Sequence, residues 1–179
     1  CSQSRGLGDV YKRQNFMNKK PLLIDLKPNT FEEVLKDINL VGNKLNKKVE
    51  SDFLVKNIKN EINKIKVKTS NSKIKNVLCI EWIEPIMTAG NWIPELVKFA
   101  GGKSVLAKSG KNSNFIKPEY INFKEVDIVI FMPCGFDIKR SKEEILKANI
   151  DYSSNLKEKK TYVVDGNKSV SYTHLRAHE

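Results

Sequence analysis

Short, continuously apolar runs recur along the chain, separated by polar stretches rich in lysine and asparagine. Such runs are typical of buried β-strands, because both faces of these strands lie against other apolar groups. The runs occupy residues 22–26, 77–80, 104–107, 126–132 and 161–164. We therefore predict a strand at each position, and the run at 126–132 has the strongest strand pattern.

Between these runs, apolar residues are spaced three and four positions apart, as on one face of an α-helix. Thr30 and Glu33 form a capping box for a first helix that begins at Phe31. Further helices are predicted from about Asp52 to Lys66, from about Ile93 to Ala100 and after Ser141 as an N-cap, with a helical turn around Pro118. Strands that alternate with helices indicate the α/β class, with a mostly parallel sheet flanked by helices.

The two ends of the chain differ in composition from the region between them. Residues 1–14 and 169–179 show no hydrophobic periodicity, and we interpret them as non-native, adapter-like tails. A natural flexible segment at each end is the alternative. The region from about residue 15 to residue 168 contains no histidine, since His174 and His178 both lie in the second tail.

The residue types of this central region exclude several kinds of catalytic site. Zinc requires about four closely spaced ligands, and the cysteines Cys79 and Cys134 stand far apart. A catalytic triad based on histidine is excluded as well. Cys79 lies inside an apolar run, and Cys134 has no neighbouring histidine or arginine to lower its pKa. We therefore expect two packed thiols, no metal site and no catalytic residue.

The chain carries a formal net charge of +11, which raises the question of nucleic-acid binding. Between residues 15 and 168, however, Arg140 is the only arginine, and all other basic residues are lysines. Phosphate and base recognition favour the arginine fork and stacking aromatics among basic residues, and neither pattern is present. We therefore expect no nucleic-acid partner. The sequence also contains no apolar run long enough to cross a membrane.

Two loops that follow predicted strands carry the most informative residues. The loop after the 77–80 run contains Trp82, Asn91 and Trp92, and the loop after the 126–132 run contains Phe136. The carboxyl ends of parallel strands lie at one edge of a sheet, where α/β proteins bind ligands in a crevice. We therefore expect the two loops to meet and to present aromatic rings to a large, flat ligand. Asn91 is also expected to cap the helix that begins near Ile93.

These segments resemble those of cobalamin-binding and iron-siderophore-type substrate-binding proteins of ABC transporters. The resemblance covers nearly all of residues 21–168. It is carried by residues 81–85 (EWIEP), 89–97 (AGNWIPELV), 100–102 (AGG) and 133–137 (PCGFD), and also by 26–30 (LKPNT) and 165–167 (DGN).

The resemblance implies a two-lobed α/β protein in which one long helix joins the lobes and the ligand lies between them. Residues 15–51 would be a remnant of the amino-terminal lobe, 52–66 the connecting helix and 73–168 the carboxyl-terminal lobe. The implied ligand is a cobalamin-like corrinoid or an iron-siderophore, transported rather than used as a cofactor. The chain would then be a fragment of a protein that works in the periplasm or elsewhere outside the cytoplasm.

The resemblance also assigns roles to particular residues. It places Trp82, Asn91, Trp92 and Phe136 at the ligand. Asn91 stands where the family often has histidine, so the resemblance does not carry an axial metal contact over to this position. Acidic residues on each lobe contact arginines of the permease, and Glu84 and Glu95 are the candidates here. The implied partners are the ABC permease and ATPase subunits.

A small α/β enzyme is the alternative from another functional class. Its support is the crevice at the sheet edge together with the carboxylates of Glu81, Glu84 and Asp137. No glycine-rich phosphate loop, nucleophile elbow or metal cluster accompanies them. A solute-binding protein is therefore the preferred interpretation, and its ligand is not fixed by the sequence.

Overall fold

The structure, a computed structural model, describes residues 22–148 and 159–169. Two long helices precede the sheet: α1 spans Phe31–Lys44 and α2 spans Lys48–Thr69. The capping box is confirmed, because Thr30 Oγ1 accepts the Glu33 N–H and the Glu33 carboxylate accepts the Thr30 N–H. α2 is longer at both ends than predicted. Residues 22–26 form no strand, so that prediction was wrong.

The sheet has six strands, most of them parallel to their neighbours. They are β1 (Lys75–Trp82), β2 (Met87–Thr88), β3 (Gly102–Ser104), β4 (Asn114–Phe115), β5 (Ile128–Phe131) and β6 (Lys160–Val163). The order is β4-β2-β1-β5-β6, and β3 pairs with the first half of β1 on the same side as β2. β3, β5 and β6 run parallel to their partners, whereas β2 and β4 are antiparallel. The predicted mostly parallel α/β sheet is confirmed.

Three further helices follow the strands: α3 (Ile93–Phe99), α4 (Ile138–Lys147) and α5 (Gly166–Ser169). Short 3-10 turns at Pro118–Tyr120 and Phe123–Glu125 lead into β5, the first of them where a turn was predicted. Two predicted caps were wrong. α4 is capped by Asp137, whose Oδ1 accepts the Arg140 N–H at 2.7 Å, while Ser141 is fully buried inside the helix. α3 has Trp92 rather than Asn91 at its N-cap.

The core lies on both faces of β1 and β5, because successive side chains of a strand point to opposite faces. One cluster contains Leu78, Ile80, Ile83, Ile86, Ile121, Val126, Val129 and Phe131. The other contains Val77, Cys79, Ala89, Ile93, Val97 and Met132. Burial raises the pKa of the Cys79 thiol to about 12, so this thiol stays protonated at neutral pH, as expected of a packed residue.

Candidate ligand-binding surface

The carboxyl ends of β1 and β5 are held together by main-chain hydrogen bonds. The Met132 N–H donates to the Ile80 carbonyl at 2.8 Å, and the Cys134 N–H donates to the Glu81 carbonyl at 3.1 Å. Both donors lie beyond the end of β5, whereas both acceptors belong to β1, so the loop after β5 begins by pairing along the last residues of β1. The two loops therefore meet at one edge of the sheet, as the sequence predicted.

Trp82 and Phe136 come into contact at this edge. Their ring centroids are 5.4 Å apart and the ring planes are inclined by 52°. The Trp82 Nε1–H donates to the Glu84 carbonyl at 3.0 Å, which fixes the indole on its own loop. Phe136 closes a turn by donating its N–H to the Pro133 carbonyl at 3.1 Å. Gly135, inside this turn, has φ +79°, a conformation that favours glycine.

A cavity of about 130 Å³ lies beside the two rings. Its lining consists of Trp82, Ile83, Glu84, Phe136, Glu144, Lys147 and Ala148. Lys147 is paired with Glu144 at 3.1 Å, so its charge is largely compensated. Pockets that enclose a drug-sized ligand measure about 300–1,000 Å³. The cavity is therefore too small to enclose a ligand of that size by itself.

Arg140 is a residue of this surface that the sequence analysis did not select. Its guanidinium carbon lies 3.9 Å from the centroid of the Phe136 ring. Two features of the sequence could have indicated it. Arg140 is the only arginine between residues 15 and 168, and it stands near the start of the helix that follows Phe136. Such a cation–π contact holds the guanidinium in a defined place beside the aromatic pair.

Asn91 and Trp92 lie elsewhere. Trp92 is half-buried and packs against the cluster around Cys79, on the opposite face of the sheet from Ile80. Asn91 has φ +52° and holds the loop before β4 through its main chain. Its N–H donates to the Lys111 carbonyl at 2.6 Å, and its carbonyl accepts the Gly110 N–H at 3.1 Å. A ligand contact by either residue stays a prediction.

The two candidate permease contacts have different surroundings. Glu84 is exposed beside Trp82. Glu95 is half-buried, and its Oε2 accepts the Phe31 N–H at 2.6 Å, at the start of α1. The Phe31 and Phe99 rings meet edge to face at 5.3 Å beside this bond. Glu95 thus joins α1 to α3 within the chain, whereas the Glu84 carboxylate faces solvent.

Glu81 is buried at the end of β1, with 9% of its surface exposed. Ser113 Oγ donates to Glu81 Oε2 at 2.5 Å and accepts the Gly90 N–H at 3.0 Å. Burial raises the pKa of the Glu81 carboxyl, while the hydrogen bond from Ser113 acts in the opposite direction. The carboxyl therefore joins the loop before β4 to the end of β1 and loses its proton at a higher pH than an ordinary glutamate does.

We predict that Glu81→Gln makes stability less dependent on pH. The pKa of Glu81 in the folded chain lies above its ordinary value of 4.5. Below pH 4.5 the carboxyl is protonated in both the folded and the unfolded chain, so it costs no stability there. As the pH rises through the window between 4.5 and the raised pKa, the unfolded chain loses its proton first. The free energy of unfolding of the wild type should therefore fall relative to that of the variant, as measured by urea denaturation from about pH 4 to about pH 8.

Ser113→Ala supplies a second variant for this experiment. It removes the hydrogen bond that lowers the pKa of Glu81, so the decline with pH should become steeper than in the wild type. A stability difference between wild type and Glu81→Gln that stays constant over the whole pH range would contradict the prediction.

Within residues 22–148 and 159–169, no group of three or more His, Cys, Asp or Glu side chains could hold a metal ion. In the same part of the chain, none of the helices is long and apolar enough to span a membrane.

The fold is shared with solved structures of solute-binding proteins. An ABC transporter substrate-binding protein from Listeria monocytogenes EGD-e is 20% identical, with a TM-score of 0.66 over 89% of this chain and 64% of its own. The periplasmic heme-binding protein HutB of Vibrio cholerae is 17% identical, with a TM-score of 0.67 over 91% of this chain and 65% of its own. The periplasmic vitamin B12-binding protein BtuF of Vibrio cholerae is 11% identical, with a TM-score of 0.61 over 90% of this chain and 61% of its own.

The chain therefore spans less than two thirds of the length of these proteins. A comparison with curated protein sequences finds none that matches it. The family model described as "Periplasmic binding protein" matches residues 12–154. This match agrees with the sequence-based resemblance to solute-binding proteins, and the solved structures share the fold. The chain belongs to the periplasmic binding protein family.

Proposed function

We propose that this chain is part of the substrate-binding component of an ABC importer. Its ligand is a bulky metal chelate. The first candidate is a cobalamin-like corrinoid, which has a flat ring, and the second is an iron-siderophore. The corrinoid is favoured by the sequence resemblance of residues 81–97. The structural neighbours bind heme, vitamin B12 or hydroxamate iron according to their names, which supports the class of ligand and not one member of it.

The observation that carries the proposal is the contact between Trp82 and Phe136 at the carboxyl edge of the parallel strands. Aromatic rings at such an edge offer a flat apolar face together with fixed main-chain polar groups. The indole is the better stacking surface of the two, since Arg140 already covers one face of Phe136. The ligand therefore lies against Trp82, with Phe136 supporting the indole from the side.

The small volume of the adjoining cavity agrees with a ligand held between two lobes. One wall alone covers one face of a tetrapyrrole, and the second lobe supplies the opposite face. By membership of the family, the working protein lies outside the cytoplasm and delivers its ligand to a permease and ATPase pair. Glu84, exposed beside the aromatic surface, is the better placed of the two acidic candidates for the permease.

Tryptophan fluorescence tests this proposal directly, because the chain contains two tryptophans. Trp92→Phe leaves Trp82 as the only indole, and Trp82→Phe leaves Trp92. Cyanocobalamin, hemin and a ferric hydroxamate are titrated into each variant. We expect at least one of these chelates to quench the Trp92→Phe variant saturably, and to quench the Trp82→Phe variant weakly. Trp82→Ala should weaken binding about tenfold, the order expected for loss of one aromatic stacking partner.

The two single-tryptophan variants serve as matched controls for each other, because each retains one indole in the same fold. Saturable quenching confined to Trp92 would show that the ligand lies elsewhere. Failure of all three chelates to bind the wild-type chain would contradict the proposed function.

A further inference from the structure

Phe136 contacts both a second aromatic ring and a cation. Trp82 lies at 5.4 Å between centroids, and the Arg140 guanidinium carbon lies 3.9 Å from the Phe136 centroid. Arg140 is exposed, so its guanidinium is held at the rim of the aromatic surface and faces solvent. A cation fixed at the edge of a stacking platform is positioned to contact the periphery of a ligand rather than its face.

The position of Arg140 follows from the start of α4. Asp137 caps the helix by accepting the Arg140 main-chain N–H at 2.7 Å. Long side chains in the first turn of a helix point back toward its amino end, and here that direction leads over Phe136. The cap depends on the main chain of Arg140 and not on its side chain, so a substitution at this position leaves the helix start intact.

Among the described residues, the guanidinium of Arg140 has no carboxylate partner. A guanidinium that stacks on a ring uses its face, while its N–H groups point outward in the plane as a fork that fits a carboxylate. In the described part of the chain, no carboxylate oxygen lies within 4.0 Å of this guanidinium, whereas Lys147 nearby is paired with Glu144. Arg140 therefore offers an uncompensated charge that a ligand can neutralise.

We propose that Arg140 is a specificity-determining residue that binds a carboxylate on the edge of a flat ligand stacked against Trp82. This inference rests on the proposed function and, among flat chelates, favours those with acidic side chains over cobalamin itself, whose side chains are amides. A ring with carboxylates at its periphery places one of them at the guanidinium. A ring whose side chains are amides offers a weaker, neutral acceptor at the same point.

The experiment compares ligands that share a ring and differ in charge. Dicyanocobyrinic acid carries carboxylates where dicyanocobinamide carries amides, and hemin carries two carboxylates that are absent from its dimethyl ester. Dissociation constants are measured by fluorescence of the Trp92→Phe chain. We expect the acid form of at least one pair to bind about tenfold more tightly, the order of one charge-assisted hydrogen bond. The preference should shrink as salt is added.

Arg140→Gln should abolish the preference for the acid form, so that the ratio of the two dissociation constants is close to one. Arg140→Lys should retain part of this preference. Lys139→Gln is the matched control, because it removes the same charge from the neighbouring exposed position of α4. In Lys139→Gln the ratio of the two dissociation constants should stay within about twofold of the wild-type ratio. A preference for acids that survives Arg140→Gln, or no such preference in the wild type, would overturn the inference while the proposed function stands. Absence of binding by all four compounds would overturn the inference and would also remove the corrinoid as the first candidate ligand.

Discussion

Replacing Phe131 with alanine should lower the free energy of unfolding by about 3–5 kcal/mol, the largest stability loss expected from one substitution here. Phe131 is 1% exposed and lies at the end of β5, among the buried residues of one sheet face. Its carbonyl also accepts the Val164 N–H at 2.9 Å, beside the pairing of β5 with β6. Removing the ring leaves a cavity in a part of the core where the main chain is fixed by neighbouring strands and cannot collapse.

Urea denaturation followed by circular dichroism measures this loss. Phe115→Ala is the matched control, because this phenylalanine is 63% exposed on the edge strand β4. Its substitution should change the free energy of unfolding by less than about 0.5 kcal/mol. Equal losses in the two variants would contradict the assignment of the core to the face that carries Phe131.

Gly166→Ala should be the second most damaging change, with a loss of about 2–3 kcal/mol from overpacking. A Cβ at this position would overlap the Pro133 carbonyl and approach the Met132 carbonyl oxygen, both of which are main-chain atoms. Gly166 also donates its N–H to the Phe136 carbonyl at 3.0 Å. The start of α5 would have to move away from the turn that positions Phe136, and this hydrogen bond would be lost.

Gly135→Ala separates this steric effect from backbone strain. A Cβ at Gly135 meets nothing within 4 Å, but the residue has φ +79°. Its cost should therefore be about 1–2 kcal/mol, the penalty for a left-handed conformation. Asparagine, which tolerates that conformation, should recover part of the loss at position 135 and none at position 166. Recovery by asparagine at both positions would show that overlap with Pro133 is not the cause.

The sequence predicted the elements whose signals are local. The capping box of Thr30 and Glu33 is a fixed spacing of two residue types. The apolar run of β1 is buried on both faces, and that of β5 is buried on one face and half-buried on the other. β2 and β4 were missed because each has only two residues and exists through antiparallel pairing with a distant segment. Residues 22–26 are apolar but have no strand partner in the described part of the chain, so an apolar run alone was not sufficient.

The candidate site was predicted in part. The meeting of Trp82 with Phe136 follows from a topological rule, because parallel strands place their carboxyl ends at one edge. The positions of Trp92 and Asn91 depend on how the loop between β1 and α3 is folded, which no local pattern specifies. The contact of Arg140 with Phe136 depends on the exact start of α4, which was predicted with Ser141 as the N-cap. The hydrogen bond that Asp137 accepts from the Arg140 N–H sets the start of the helix instead.

The amides of Met132 and Cys134 and the carbonyls of Ile80 and Glu81 set the spacing between the two loops without any side chain. Mutation can therefore exchange the rings at positions 82 and 136 while the frame that carries them is preserved. Ligand specificity can therefore be changed, by natural selection or by protein engineering, through a few surface side chains while the main-chain framework stays the same.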